Sequence, residues 1–197
     1  MIPESLRLAP AVYKSIALAA KYHDGQTRKE PIFLEGSERG AQSFLPYVTH
    51  PLEVMKTVWT WGAGNTVTLC AAACHDLLED TNCPPEEIAA LHPEVLQVVQ
   101  ELTCIVPADA DPQEKKRIKE AYMESFKDAS LYALVIKAAD RICNVKDFQR
   151  TNPGYSKKYL LKANGVFAAV ESRWKELHDR FGNYLSNTII EEQRSLL

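Results

Sequence analysis

The chain of 197 residues is long enough for one domain with a sizeable core, and its 46% hydrophobic and 25% charged residues are typical of a globular protein. A net charge of -3 gives no basic footprint for nucleic acid or for an anionic membrane, so neither partner is expected. There is no signal-peptide pattern or bilayer-length apolar run, and the five cysteines show no CxxC spacing. We therefore expect a cytoplasmic protein with buried free thiols.

Apolar residues repeat with helical periodicity along almost the whole chain, and no alternating strand pattern is found. The first helix is predicted from about Pro10 to Tyr22, and Pro51 is placed where prolines open helices. A segment rich in Ala, Leu and Cys, from about Thr66 to Glu79, predicts a third helix that is buried on most sides. A turn at 81–85 and a short helix through Ile88 follow.

The second half of the sequence continues this pattern after a break at His92-Pro93. The remaining predicted elements are an apolar helix after that break, a charged and solvated helix from Pro112 to about Phe126, a core helix from Leu131 to about Phe148, a turn at 151–154, a long amphipathic helix from Tyr155 to about Arg180, and a last helical tail after Gly182. The expected fold is all-α, with a single domain over residues 1–197.

Residues 31–45, PIFLEGSERGAQSFL, do not follow the helical rhythm. Two glycines and mixed polarity predict a loop, with or without a short hairpin. Loops of this length within a domain are often functional lids or disordered segments.

The residues that indicate chemistry begin with His75 and Asp76, which are neighbours in an otherwise apolar segment. A buried carboxylate needs a cation or hydrogen-bond donors, and a metal ion beside an imidazole ligand meets that need. Glu79 and Asp80 follow at helical spacing, which predicts one imidazole and three carboxylates over a common region.

Two more polar groups lie in apolar surroundings: His50, just before Pro51, and Asp140, which Asn144 follows one turn later. Two imidazoles and two carboxylates form a mixed nitrogen and oxygen site that suits manganese, iron or zinc. Such a site leaves room for a water molecule that attacks phosphorus. The alternatives are hydrogen-bonded core histidines and, for Asp140, a structural ion pair with Arg141.

Arg28 and Lys29 form a short positive cluster beside the 31–45 loop. Arginine can pair bidentately with phosphate or stack on a base, and lysine adds a point charge. The alternative is an ordinary exposed pair. His23, His92 and His178 are not accompanied by further candidate ligands, so we interpret them as structural or exposed.

Four motifs, in this order, resemble those of the hydrolase domain of the RelA/SpoT family, within the wider HD phosphohydrolase superfamily. They are His23-Asp-Gly-Gln-Thr-Arg-Lys29, Pro46-Tyr-Val-Thr-His-Pro51, His75-Asp-Leu-Leu-Glu-Asp-Thr81 and Ala139-Asp-Arg-Ile-Cys-Asn144. The likeness covers most of the chain and is greatest to the stand-alone small alarmone hydrolases, which include the metazoan SpoT homologue.

The resemblance implies an all-α, HD-type helical bundle that holds a manganese ion. The implied reaction removes the 3′-pyrophosphate of guanosine tetra- or pentaphosphate, so the partner is a small phosphorylated nucleotide. The implied metal ligands are His50, His75, Asp76 and Asp140. The implied residues that activate or orient the attacking water are Glu79 and Asp80, and the implied nucleotide contacts are Arg28, Lys29 and Asn144.

The chain also differs from the family, most clearly in the longer segment between Lys29 and Pro46, which adjoins the expected substrate pocket. Thr103 is followed by Cys-Ile-Val-Pro, where many relatives carry a lysine. These differences leave two alternatives open. One is another substrate, such as an adenosine alarmone or the 2′-phosphate of NADPH, and the other is a module that binds a nucleotide without cleaving it.

Overall fold

The helical periodicity of the sequence appears as twelve α-helices in the computed structural model, which describes residues 9–28, 44–182 and 184–197. Their bounds are α1 Pro10–Tyr22, α2 Thr49–Thr60, α3 Thr66–Cys74, α4 Leu77–Asp80, α5 Pro85–Ala89, α6 Pro93–Leu102, α7 Pro112–Ser125, α8 Leu131–Thr151, α9 Pro153–Leu161, α10 Asn164–Ser172, α11 Trp174–Phe181 and α12 Leu185–Ser195. Within these residues the extended structure amounts to an isolated antiparallel bridge between Thr27 and Pro46. The all-α prediction is therefore confirmed. In the described part of the chain, every helix falls short of the length and apolar character of a membrane span.

Helix α3 is the buried centre of the first half of the chain. All residues from Val67 to Cys74 are buried, and the helix packs against α1, α2, α6 and α8. Its alanines and cysteines are small, so four neighbouring helices can approach closely. The side chain of Asn65 caps the amino terminus of α3 by accepting a hydrogen bond from the Thr68 amide at 3.0 Å.

Helix α8 organises the second half. It is the longest helix, with 21 residues, and every residue from Tyr132 to Asp140 is buried. It packs against α2, α3, α6, α9, α10 and α12. Polar residues recur along it at spacings of three and four, which places them on one face: Lys137, Asp140, Asn144 and Asp147.

The single helix predicted from Thr66 to Glu79 is wrong, because the helix is interrupted at His75 and Asp76. The His75 ring donates a hydrogen bond to the carbonyl oxygen of Ala72, which in an uninterrupted helix would accept the Asp76 amide. Asp76 has φ −99° and ψ −4°, in the sparsely populated bridge region that active-site residues often adopt. A new helical turn, α4, begins directly after it.

The long helix predicted from Tyr155 to Arg180 is also wrong, because three helices occupy that range. Near the first break, Gly165 lies so close to α7 that an added Cβ atom would be 3.0 Å from the carbonyl oxygen of Met123. At the second break, Arg173 donates a hydrogen bond to the carbonyl oxygen of Ala129 at 2.6 Å. Both breaks therefore coincide with tertiary contacts that a periodicity argument does not detect.

The predicted 31–45 loop lies mostly outside the described residues, and its place beside the substrate pocket stays a prediction. Its two flanks are described. The amide of Arg28 donates to the carbonyl oxygen of Leu45 at 2.8 Å, and the amide of Tyr47 donates to that of Gln26 at 2.9 Å. The chain on both sides of this segment is therefore joined next to α2.

The cap of α3 provides a test of the fold. We expect Asn65→Ala to lower the free energy of unfolding by about 1 kcal/mol, because the Thr68 amide loses its acceptor. Urea denaturation followed by far-UV circular dichroism measures the change. Asn65→Asp keeps an acceptor oxygen and should lose much less; an equal loss in both variants would contradict the capping role.

Candidate metal centre

The interruption between α3 and α4 sets His75 and Asp76 at the end of a buried helix. His75 is fully buried, and its Nδ1 donates to the carbonyl oxygen of Ala72 at 2.9 Å. This bond leaves Nε2 as the nitrogen with the free lone pair. His75 Nε2 lies 3.0 Å from Asp76 Oδ1 and has no hydrogen-bond partner within the described ranges.

Helix α2 brings His50 to the same place. Its ring is 2% exposed, and its centroid lies 5.2 Å from that of His75. His50 Nε2 lies 3.7 Å from Asp76 Oδ2. One donor atom from each of His50, His75 and Asp76 lies within 4.8 Å of the other two.

Helix α8 adds Asp140 on the other side. Asp140 Oδ1 lies 3.2 Å from His50 Nε2 and 3.9 Å from His75 Nε2. The same oxygen accepts a hydrogen bond from Asn144 Nδ2 at 2.5 Å, and Asp140 Oδ2 accepts one from Lys137 Nζ at 3.2 Å. Three separate parts of the chain thus bring together the four residues predicted as ligands.

The electrostatic environment keeps both carboxylates ionised. Burial alone would raise the pKa of Asp76, but the neighbouring His75 and His50 hold it below its usual range. Burial also opposes ionisation of Asp140, but Lys137 and Arg141 outweigh it and hold the pKa of this carboxyl well below its usual range. Two largely desolvated anions therefore remain at neutral pH.

The donor set fits a divalent metal ion. It combines imidazole nitrogens with carboxylate oxygens, and the unpartnered His75 Nε2 is directed at the carboxylates. Although burial acts against it, the Asp76 and Asp140 carboxylates raise the pKa of His75. A metal ion and a proton compete for the same imidazole nitrogen, so the metal affinity should fall as the pH falls.

Glu79 and Asp80 lie at the exposed rim beside this centre. Glu79 Oε2 accepts a hydrogen bond from the Cys104 amide at 3.0 Å, in the segment that follows α6. The side chain is solvent-accessible but partly surrounded by protein, and this partial burial raises the pKa of the Glu79 carboxyl. A glutamate with a raised pKa is suited to accept a proton at neutral pH.

Tyr47 is a site residue that the sequence analysis did not single out. Its hydroxyl lies 2.6 Å from Asp76 Oδ2 and 3.2 Å from Asp80 Oδ2. Burial and the nearby carboxylates raise the pKa of the phenol, so it remains a donor. The available signal was its place three residues before His50 within the same motif.

Arg28 and Asn144 are brought together on one side of the centre. Arg28 Nη2 lies 2.8 Å from Asp147 Oδ2 and 3.3 Å from Asn144 Oδ1. The Arg28 side chain is only 15% exposed, so the alternative interpretation of Arg28 as an ordinary exposed residue is excluded. Lys29 lies outside the described residues, and its role stays a prediction.

His23 is buried and lies near the site without joining the ligand cluster. Its Nδ1 is 2.8 Å from Gln26 Oε1, and its ring centroid is 4.7 Å from that of Tyr47. His92 caps α6 by accepting a hydrogen bond from the Glu94 amide, and His178 is partly exposed beside Asp179. These placements agree with the structural or exposed interpretation.

Comparison with known proteins gives a consistent set of relatives. A family model described as an HD domain matches residues 33–174. Guanosine-3′,5′-bis(diphosphate) 3′-pyrophosphohydrolase MESH1 of Xenopus tropicalis is 32% identical over 154 residues, which is 76% of this chain and 76% of that protein. The Homo sapiens protein of the same name is 32% identical over 149 residues, covering 74% and 73%. A solved structure of a metazoan ortholog of SpoT, which hydrolyzes ppGpp and plays a role in starvation responses, has a TM-score of 0.70 and 26% identity, and it covers 97% of this chain and 99% of its own.

The metal centre can be tested without a substrate. We expect Asp76→Asn, which keeps the side-chain shape and removes its charge, to weaken binding of a divalent ion by about 100-fold or more, since loss of outer-shell partners alone costs about 10–100-fold. Isothermal titration of the metal-free protein with Mn²⁺ measures the change. Asp128→Asn, on the exposed surface, is the control. Equal affinities in the two variants would exclude Asp76 as a ligand.

Proposed function

Because this chain belongs to the HD-domain family, among the small RelA/SpoT-type hydrolases, we propose that it removes the 3′-pyrophosphate of guanosine tetra- and pentaphosphate. Water is consumed, and the bond between the ribose 3′ oxygen and phosphorus is broken. The products are pyrophosphate and guanosine di- or triphosphate.

The observation that carries this proposal is the convergence of two imidazoles and two ionised carboxylates beside Glu79. It occurs in a chain that is similar, over about three quarters of its length, to proteins named for this activity. A module that binds without cleaving would have no need of Glu79 at the rim of such a centre.

We propose manganese as the ion, with His50, His75, Asp76 and Asp140 as its ligands. A divalent ion supplies Lewis-acid activation of water and stabilises charge on the phosphoryl oxygens. The hydrogen bond from His75 Nδ1 to the Ala72 carbonyl oxygen orients His75, and the hydrogen bond from Asn144 orients Asp140. The Tyr47 hydroxyl orients Asp76 in the same way, by donating a hydrogen bond to its carboxylate.

Glu79 is proposed to accept the proton of the attacking water. Its carboxylate is oriented by the Cys104 amide, and its raised pKa gives it affinity for that proton. Asp80, whose Oδ2 lies 3.2 Å from the Tyr47 hydroxyl and which is exposed to solvent, is proposed to orient the water.

Arg28 and Asn144, together with Lys29, are proposed to contact the nucleotide. Arg28 uses one terminal nitrogen for Asp147 and Asn144, and its other N–H groups make no hydrogen bond to a described side chain, which suits them to a phosphate or a base. The expected partner is thus a small phosphorylated nucleotide. The cytoplasmic location stays a prediction.

A substrate panel tests the proposed reaction. Purified protein with Mn²⁺ should release pyrophosphate from guanosine tetraphosphate, and a chelator should abolish that release. The adenosine alarmone and NADPH are assayed in parallel, with pyrophosphate and orthophosphate measured separately. Turnover of either compound without turnover of guanosine tetraphosphate would refute the substrate assignment.

The role of Glu79 predicts a separable defect. Glu79→Gln keeps an oxygen that accepts the Cys104 hydrogen bond but cannot take up a proton. We expect kcat to fall by about 10²–10⁴-fold with Mn²⁺ affinity unchanged, as general-base catalysis predicts. Steady-state kinetics and metal titration measure the two effects.

Glu124→Gln, an exposed glutamate on α7, is the matched control and should keep full activity. If Glu79→Gln also retains activity, Glu79 has no part in the proton transfer.

A further inference from the structure

Lys137 is a buried charged residue to which the proposed reaction gives no role. It lies on α8, one turn before Asp140, and is 4% exposed. Burying an ammonium group is costly, and a buried ion pair often contributes little net stability. Its presence beside the metal centre therefore calls for an explanation other than stability.

The two oxygens of Asp140 have different partners. Oδ1 faces His50 and His75 and accepts from Asn144. Oδ2 accepts a hydrogen bond from Lys137 Nζ. The two oxygens are therefore held by different donors, Oδ1 by Asn144 and Oδ2 by Lys137.

Arg141 does not replace Lys137 in this role. Its Nε lies 3.6 Å from Asp140 Oδ2 but makes no hydrogen bond with any described residue. Its Nη1 instead donates to the Tyr159 hydroxyl at 2.6 Å. Among the described side chains, the hydrogen bond to Oδ2 therefore comes from Lys137.

The ammonium group of Lys137 is itself held in place by α7. Nζ lies 5.2 Å from the centroid of the Tyr122 ring, at cation–π distance. The Tyr122 hydroxyl donates to the carbonyl oxygen of Leu102, two residues before the Cys104 amide that holds Glu79. Lys137 therefore belongs to a chain of contacts that links the ligand side of the site to the Glu79 side.

We propose that Lys137 is a positioning residue that orients Asp140 for metal binding through its N–H donor. The sign of the effect on affinity separates this role from a charge effect. A cation near the site repels a metal ion, so if charge alone mattered, neutralising Lys137 would tighten binding. If Lys137 orients Asp140, its loss weakens binding.

Two uncharged replacements of similar size test this. Lys137→Met removes the donor, whereas Lys137→Gln keeps an N–H group that can reach towards Oδ2. We expect the Mn²⁺ dissociation constant to rise by about 10–100-fold in the methionine variant and by less in the glutamine variant. The kinetic part rests on the proposed function: kcat should fall while the KM for guanosine tetraphosphate changes by less than about 3-fold.

Lys146→Met is the matched control, because Lys146 lies on the same helix, is half exposed and pairs with Glu192. Its Mn²⁺ affinity should equal that of the wild-type protein. Unchanged or tighter binding in Lys137→Met, or equal weakening in Lys137→Met and Lys137→Gln, would overturn the proposal.

If the methionine variant does not fold, Lys137→Gln and Tyr122→Leu carry the test. Both should weaken Mn²⁺ binding, and unchanged affinity in both would refute the role. If the wild-type protein binds Mn²⁺ but cleaves no guanosine tetraphosphate, the proposed function fails, while the affinity comparison still decides the role of Lys137.

Discussion

Two ionised carboxylates inside a helical bundle are the constraint on which the site depends. Asp76 and Asp140 are largely withdrawn from water, and each would be costly to bury without partners. The chain surrounds them with two histidines, a lysine, a tyrosine and an asparagine. The imidazole nitrogens and carboxylate oxygens gathered there form a donor set that fits a divalent cation.

The helices that meet at this centre differ in how they supply their polar groups. Helix α3 is built from small residues and delivers His75 and Asp76 from its end, where the backbone leaves the helical ladder. Helix α8 stays continuous and delivers Asp140 from its middle, with Lys137 and Asn144 one turn away on either side. A continuous helix holds its side chains at fixed spacing, so α8 can link the ligands to Arg28 through Asn144.

The rim of the site is assembled from less regular parts. Glu79 stands on the short α4 and is held by the amide of Cys104, beyond the end of α6. Tyr47 precedes α2 and reaches both Asp76 and Asp80. Such segments have fewer packing constraints than the core helices.

The sequence by itself determined the helical class, most helix starts, and the residue types of the centre. This succeeded because apolar periodicity and proline positions act locally, and because polar groups in apolar segments stand out. Only the tertiary structure decided that α3 stops before His75, that the range 155–180 holds three helices, and that Tyr47 and Lys137 reach the carboxylates. The breaks within 155–180 and the Tyr47 contact depend on segments distant along the chain, such as Gly165 against Met123 and Tyr47 against Asp76. The end of α3 and the Lys137 contact involve residues three apart, and the folded core decided which hydrogen bonds those side chains make.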